Sequence, residues 1–179
     1  MIDKSRIIPS VVQFEQIKTV LDSSCKRVNL LVGNINNLAE VVHRLHSANK
    51  RVFVHIEMIG GIARDKDAVK FLIHTCQADG VIATKTSLIL AAKSCGVSCI
   101  QRIFAIDTSA LKTALKTVQA AQPDEVEVMP GLMPEVIRQF KSSIPYPLIV
   151  GGLIKSSEAV SQALQSGADY VSTGHEALW

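Results

Sequence analysis

Two stretches of the sequence decide the fold: PLIVGG at residues 147–152 and YVSTG at residues 170–174. Each is an apolar run that stops in glycine or hydroxyl residues, and the helical pattern of residues 156–166 separates them. Neighbouring parallel strands that end in this way leave backbone N–H groups beside a helix start, an arrangement that binds phosphate. The sequence therefore predicts a phosphate site at Gly151, Gly152, Ser172, Thr173 and Gly174.

The rest of the chain repeats this strand–helix unit about every 20 to 25 residues. Strands are predicted at residues 6–12, 28–33, 51–57, 80–85, 97–105, 125–129, 147–150 and 170–172. After residue 174, too few residues remain for more than one turn of an eighth helix. The pattern predicts a single domain, residues 1–179, folded as a compact (β/α)8 TIM-type barrel of the α/β class with a truncated last helix.

A doubly wound open sheet is the structural alternative. That fold normally carries a glycine-rich phosphate loop after its first strand. Residues 11–14 of this chain, VVQF, contain no glycine. A Gly-Gly pair alone would merely turn the chain, but its position after the seventh strand of a repeat favours the barrel and its phosphate site.

Composition excludes several classes of protein. No apolar run approaches the roughly 18 residues of a membrane span, and the first six residues lead into a strand without a signal-peptide stretch. We therefore expect a cytoplasmic protein without a membrane partner. A net charge of +3 with no basic run and 4% aromatic residues gives no sign of a nucleic-acid arm or of stacking rings, so composition would not reveal RNA binding.

The cysteines and histidines do not predict a metal site. Cys25, Cys76, Cys95 and Cys99 form no CxxC pair and are expected to be reduced thiols. His43 and His46 are spaced to share one helix face, but no third ligand accompanies them, so a solvated face is the better interpretation.

Polar residues at the ends of predicted strands are the candidate ligand groups. His55 and Glu57 are two residues apart and should point to one face of the third strand, while Lys85 ends the fourth. Arg102 lies within an apolar strand and requires an anion. Glu127 is the acidic candidate of the sixth strand, either for ligand hydroxyls or for a buried cation, whereas Glu125 should face solvent.

Several motifs make the sequence recognisable over its whole length. They are IPSV at 8–11, VHIE at 54–57, GVIATK at 80–85, IQRIF at 100–104, DTSALK at 107–112, QPDEVEVMPG at 122–131, GG at 151–152 and LW at 178–179. On these motifs the chain resembles the glycerol uptake operon antiterminator regulatory proteins. The Pro-Asp-x-x-Glu-x-x-Pro-Gly and Ile-Gln-Arg-x-Phe runs carry the resemblance most specifically.

The resemblance implies a barrel that binds glycerol 3-phosphate as an effector and acts on the leader mRNA of glycerol-utilisation genes as a transcription antiterminator. It implies no catalytic residue and no cofactor. The phosphate would lie at the two glycine- or hydroxyl-ended loops, and His55, Glu57 and Glu127 would lie near the glycerol hydroxyls. We expect residues 58–62, which include Gly60-Gly61, to be the flexible segment that orders on binding.

The alternative hypothesis is a small phosphosugar enzyme, an isomerase, epimerase or aldolase, because such barrels share this phosphate position. His55, Glu57, Lys85 and Glu127 could act as acid, base or Schiff-base nucleophile. The unfinished eighth helix also suggests that a partner covers that edge of the barrel, as in a homodimer.

Overall fold

The protein is described by a computed structural model of residues 3–179. Its strands are β1 (Ile7–Val11), β2 (Arg27–Leu30), β3 (Arg51–His55), β4 (Gly80–Ala83), β5 (Ser98–Phe104), β6 (Glu125–Met129), β7 (Leu148–Val150) and β8 (Tyr170–Thr173). Its helices are α1 (Gln16–Asp22), α2 (Leu38–Ser47), α3 (Lys66–His74), α4 (Thr86–Ser94), α5 (Thr108–Ala121), α6 (Pro134–Ser143) and α7 (Ser157–Gln165). Short 3-10 helices span Lys4–Arg6, Ile56–Met58 and Glu176–Leu178. The expectation that no signal peptide begins the chain rests partly on Met1 and Ile2, which lie outside the described residues.

The strands form a closed parallel barrel in sequence order. β1 pairs with β8 to close the ring, with Ile8 opposite Ser172 and Pro9 opposite Thr173. The predicted (β/α)8 barrel is confirmed, and the doubly wound open sheet is excluded because an open sheet leaves two unpaired edges. The truncated last helix is also confirmed, as only the 3-10 turn Glu176–Leu178 follows β8.

The edge left by the short last helix is covered by the chain itself. Leu178 and Trp179 are buried there, and the indole Nε1 of Trp179 donates a hydrogen bond to the Thr173 carbonyl at 2.8 Å. The argument that a second subunit must cover this edge therefore fails. Homodimer formation stays a prediction without an assigned surface.

The third strand ends two residues before the predicted limit, and this changes the position of Glu57. β3 stops at His55, and Glu57 lies in the 3-10 turn that follows. The prediction that the two side chains share one strand face is wrong, because strand alternation does not continue into a 3-10 turn.

The loops after β2 and β3 bond to each other instead of extending their strands. The Gly60 N–H donates to the Gly33 carbonyl and the Ile35 N–H donates to the Gly60 carbonyl, both at 3.0 Å. β2 consequently ends at Leu30, before the predicted residue 33. The segment 58–62 is thus linked to the loop after β2, and its ordering on ligand binding stays a prediction.

Side-chain caps fix the starts of three helices close to the predicted positions. Asp65, Asp107 and Ser156 each accept a hydrogen bond from the backbone N–H three residues later, at 2.9, 2.7 and 3.2 Å. Pro134 is the first residue of α6, where its missing N–H has no cost. Asn37 precedes α2 but forms no side-chain bond to that helix.

The floor of the barrel is closed by packing and by an ion pair. Ile8, Phe53, Ile82, Ile100 and Ile149 pack together inside the barrel. At the amino ends of the strands, Arg27 pairs with Glu125 at 2.8 Å, and its guanidinium lies 4.1 Å from the centre of the Phe53 ring. The prediction that Glu125 faces solvent is wrong, because its half-buried carboxylate pairs with the half-buried Arg27. Any ligand must therefore enter from the carboxyl ends of the strands.

Three further observations bear on the function class. Within residues 3–179, no helix is long and apolar enough to cross a membrane. All four cysteines are free thiols, as predicted. In the same part of the chain, no group of three or more histidine, cysteine or acidic residues could hold a metal; His43 is exposed, and His46 Nε2 lies 2.9 Å from Asp79 Oδ2.

Candidate functional site

A layer of polar side chains lies above the apolar interior at the carboxyl ends of the strands. Alternate residues of a strand share one face, so the residue two positions after an inward residue also points inward. On six of the strands, β1, β2, β3, β5, β6 and β8, the residue at this second position is polar and buried. These residues are, in strand order, Ser10, Asn29, His55, Arg102, Glu127 and Ser172. Burying six polar residues together is costly unless they satisfy one another or a ligand.

One side of this layer is charged and internally satisfied. Arg102 and Glu127 are register partners on β5 and β6, and the Arg102 Nε donates to Glu127 Oε2 at 2.7 Å. The other oxygen, Glu127 Oε1, accepts the hydroxyl of Ser172 at 2.5 Å. The predicted need of Arg102 for an anion is met by Glu127. Arg102 Nη2 remains without a hydrogen-bond partner in the described residues.

His55 is a neutral imidazole in the layer, at the end of β3. Burial lowers its pKa to about 4, and the nearby Arg102 charge acts in the same direction against the weaker opposing effect of Glu127 and Glu57. Its Nδ1 has no partner among the described residues. A neutral imidazole offers one donor and one acceptor, so His55 can hydrogen-bond a ligand hydroxyl.

Ser10 and Asn29 complete the layer, and sequence reasoning missed both as site residues. They are register partners on β1 and β2. The Ser10 hydroxyl and both polar atoms of the Asn29 amide have no partner in residues 3–179. The available signal was an amide inside the apolar run Val28–Leu30, which is costly to bury without a function or a partner.

Glu57 and Lys85 lie at the edge of the site. Both oxygens of Glu57 are engaged, accepting from the backbone N–H and the hydroxyl of Thr84 at 2.6 Å each. Glu57 thus ties the loop after β3 to the loop after β4. Lys85 falls outside β4, at the cap position of α4, and forms no salt bridge among the described residues.

The loops after β7 and β8 meet at the predicted phosphate position. A Cβ on Gly151 would overlap Ser172 Oγ, so only glycine allows the two strands this close an approach. Gly152 has a φ of +77°, which a side chain disfavours. The Thr173 hydroxyl donates to the Ile154 carbonyl at 2.8 Å and joins the loops.

Backbone donors remain available in these loops. Within the described chain, the N–H groups of Gly152 and Gly174 donate no hydrogen bond to another residue. The hydroxyls of Ser172 and Thr173, by contrast, already have partners. The glycine N–H groups, rather than the hydroxyls, are therefore the groups that an anion could bind here.

Exposed apolar side chains surround the mouth of the barrel. All large apolar residues that are exposed in residues 3–179, except Leu90 on α4, lie at the carboxyl end of a strand or in the loop that follows it. They are Val12, Phe14, Ile35, Met58, Phe104, Ile106, Leu132 and Leu153. We call this set the mouth rim. Its apolar surface is concentrated at the same end as the polar layer, which is typical of a binding face.

Known proteins are similar to this chain in sequence and in fold. The family model described as glycerol-3-phosphate responsive antiterminator matches residues 7–179. An uncharacterized protein of Escherichia coli, YgcP, is 31% identical over the full chain and 94% of its own length. Among solved structures, a glycerol uptake operon antiterminator regulatory protein from Listeria monocytogenes has a TM-score of 0.94 at 32% identity, covering 99% of this chain and 96% of that one.

Other solved structures extend the comparison at lower identity. A glycerol uptake operon antiterminator-related protein from Thermotoga maritima has a TM-score of 0.86 at 28% identity, covering 97% of this chain and 96% of that one. The N-acetylmannosamine-6-phosphate 2-epimerase of Clostridium perfringens has a TM-score of 0.71 at 13% identity, covering 94% of this chain and 85% of that one, and shares the fold alone.

Proposed function

The chain belongs to the glycerol-3-phosphate responsive antiterminator family, and from this premise we propose that it is an effector-gated regulator that binds leader mRNA of glycerol-utilisation genes. Glycerol 3-phosphate would be the effector, with no resident cofactor. The observation that carries the proposal is the family match over residues 7–179, joined to a mouth whose buried polar groups lack partners.

In the proposed complex, the phosphate lies at the loops after β7 and β8 and the glycerol end reaches the polar layer. The unused N–H groups of Gly152 and Gly174 support the phosphate position. The Arg102 guanidinium adds a positive charge, and its Nη2 has no hydrogen-bond partner in the described residues. His55, as a neutral imidazole, suits a hydroxyl group. Glu57 contributes by positioning the loops, because Thr84 occupies its carboxylate.

The same contacts favour binding over catalysis. Each oxygen of Glu127 already accepts a hydrogen bond, one from Arg102 and one from Ser172, so this carboxylate holds two strands of the site in place. A Schiff-base aldolase requires a lysine at the mouth; the eight strands contain none, and Lys85 lies at the edge of the site, at the cap of α4. An isomerase, epimerase or aldolase remains the alternative on fold likeness alone.

The mouth rim is the proposed RNA-binding face. Phe14 and Phe104 place two exposed aromatic rings there, and unstacked bases bind such rings. Because the loops that would hold the effector also carry the rim, effector binding can change the surface that RNA meets. By linkage, glycerol 3-phosphate strengthens RNA binding only as far as it binds the RNA-competent state more tightly.

The proposal is tested by measuring the affinity of the protein for leader mRNA with and without glycerol 3-phosphate. The expected result is a decrease in Kd for RNA at saturating effector, and an equal factor in effector affinity when RNA is bound. An RNA affinity that does not respond to effector would contradict the regulatory function. Turnover of glycerol 3-phosphate that is abolished by Glu127→Gln would establish the enzyme alternative.

A further inference from the structure

We propose that Ser10, Asn29 and His55 form a hydroxyl-binding subsite, which selects phosphate esters of polyols over other phosphorylated compounds. The inference rests on the proposed function and deepens it by assigning the part of the ligand that these three residues bind. Ser10 and Asn29 have no role in the predicted site, which rested on residues of later strands.

The first support is that all three side chains are buried with unused hydrogen-bonding capacity. The atoms without partners are Ser10 Oγ, Asn29 Nδ2 and Oδ1, and His55 Nδ1. The exposed fraction is 8% for Ser10, 0% for Asn29 and 3% for His55. Buried polar side chains almost always have partners, so three adjacent exceptions require an explanation. A ligand that supplies the missing partners is the explanation that the chemistry of these groups supports.

The second support is their arrangement. Ser10 and Asn29 lie opposite each other on β1 and β2. Asn29 is in turn opposite Phe53 of β3. His55 is the next inward residue of β3 after Phe53, so the imidazole lies one layer closer to the mouth than the Phe53 ring. The three groups therefore occupy three consecutive strands. Ser10 and His55 retain slight exposure, whereas Asn29 has none.

The third support is their chemistry. A serine hydroxyl, an amide and a neutral imidazole each donate and accept hydrogen bonds, and none carries a charge. Ligand hydroxyls also donate and accept, so two neighbouring hydroxyls can satisfy all three groups. A carboxylate only accepts hydrogen bonds, so it would leave the Asn29 Oδ1 acceptor without a donor. The subsite therefore fits a polyol and disfavours a phosphorylated acid.

Other strands around the mouth supply what a phosphate needs. Arg102 Nη2 and the N–H groups of Gly152 and Gly174 are unused there, on β5 and in the loops after β7 and β8. The loop after β8 adjoins the subsite, because β8 pairs with β1. A ligand that is anionic at one end and hydroxylated at the other would contact both sets of groups, and these contacts would fix its orientation.

The experiment compares two ligands, glycerol 3-phosphate and ethyl phosphate, by calorimetric titration into the intact protein. Ethyl phosphate keeps the phosphate ester but has no hydroxyls. The variants are Ser10→Ala and Asn29→Leu, and the matched control is Gln101→Met. Gln101 is also buried with an unpartnered amide oxygen, but it precedes the inward-facing Arg102 and so points away from the barrel interior.

We expect Asn29→Leu to lower the affinity for glycerol 3-phosphate by about tenfold or more, with little effect on ethyl phosphate. Ser10→Ala should act in the same direction to a smaller extent, and it guards against misfolding of the larger substitution. Gln101→Met should leave both affinities unchanged. The decisive quantity is the ratio of the two affinities, which a general loss of folded protein does not alter.

Two outcomes would overturn the inference. If both site variants keep the wild-type ratio while the wild type binds glycerol 3-phosphate, the subsite is absent and the proposed function survives. An equal loss of affinity for both ligands would likewise assign these residues to the scaffold. If the wild type binds ethyl phosphate and glycerol 3-phosphate equally or not at all, the effector assignment fails first, and the subsite fails with it.

Discussion

At the scale of single residues, Glu127 carries the charge balance of the site. Its side chain has no exposed surface, and it accepts hydrogen bonds from both Arg102 and Ser172. A buried guanidinium that loses such a partner keeps its desolvation cost and gains no water in return. The main effect of the Arg102–Glu127 pair on stability is therefore that it prevents an unpaired buried charge; the net attraction between the two groups contributes less.

Replacing Glu127 with Ala should destabilise the protein by about 3–5 kcal/mol, because Arg102 would remain as a buried unpaired charge. Chemical denaturation measures the free energy of unfolding. The matched control is Asp67→Ala, which removes the exposed ion pair with Lys70 and should change the stability little. Equal effects of the two substitutions would contradict the described environment of Glu127.

His55 should make the stability depend on pH. Its folded-state pKa of about 4 lies below the ordinary 6.5, so between these values the unfolded chain binds more protons. The stabilisation that neutral His55 contributes is present in full above pH 6.5 and is lost as the pH falls towards 4. The free energy of unfolding should fall by up to about 3 kcal/mol over this range. Denaturation at several pH values should give a shallower slope for His55→Gln than for the wild type. His43→Gln, at an exposed histidine, should keep the wild-type slope.

The sequence predicted the charged half of the site better than its neutral half. Arg102 and Glu127 stand out because charged residues inside apolar strands need partners, and the structure pairs them. Ser10 and Asn29 carry no charge, and a small polar residue in a strand is ordinary until its lack of partners is seen. Partner geometry depends on register between strands, which local sequence does not specify.

At the scale of elements, the linked loops after β2, β3 and β4 form the part of the mouth best placed to transmit ligand binding. Glu57 holds Thr84, and Gly60 bonds to residues 33 and 35. Ile35 and Met58 of these loops belong to the mouth rim. We therefore expect a shift in one loop to move the next through these hydrogen bonds.

Substituting Gly61 with Ala should weaken this link. Its φ is +75° and a Cβ would lie 3.0 Å from Ile35 Cγ2, so the loop would strain or move. Gly60→Ala is the matched control, because its Cβ would meet Asn34 Cβ at an ordinary 3.4 Å. We expect Gly61→Ala to reduce the effect of glycerol 3-phosphate on RNA affinity and Gly60→Ala to preserve it. An unchanged effect in Gly61→Ala would remove this loop from the mechanism.

Element type was predictable from the sequence, whereas element ends were less so. β6 begins and ends at the predicted residues, because Pro130 breaks it immediately after Met129. β3 has no such break, and the 3-10 turn of Ile56–Met58 continues an apolar pattern that resembles a strand. The segment that follows β3 bonds instead to the loops after β2 and β4, and local sequence does not indicate those contacts.

At the scale of the whole molecule, the barrel has one closed and one open end. The Arg27–Glu125 pair and the Phe53 ring close the floor, while the mouth holds the polar layer and the mouth rim. The sequence predicts that the ligand binds at the carboxyl ends of the strands, where the active sites of such barrels lie, and this stays a prediction. It did not predict the rim, because exposure in loops leaves no periodic signal.

The mouth rim should determine RNA affinity. Ile106→Ser, at a side chain that is 82% exposed, and Phe104→Ser should each weaken leader mRNA binding at saturating glycerol 3-phosphate by several-fold. Leu90→Ser, on α4 and outside the rim, is the matched control and should have no effect. RNA affinity should also fall steeply with salt, since phosphate contacts release counterions. Equal affinity for rim and control variants would place the RNA elsewhere.

The most direct test of the central claim is calorimetric titration of glycerol 3-phosphate, and in parallel glycerol, into the wild type, Gly152→Asp and Gly96→Asp. Gly96 has a similar φ of +71° but open space around it and lies in the loop before β5, so it controls for strain. We expect micromolar binding of glycerol 3-phosphate to the wild type and Gly96→Asp, loss of binding in Gly152→Asp, and no binding of glycerol. Absence of binding to the wild type, or undiminished binding to Gly152→Asp, would contradict the central claim.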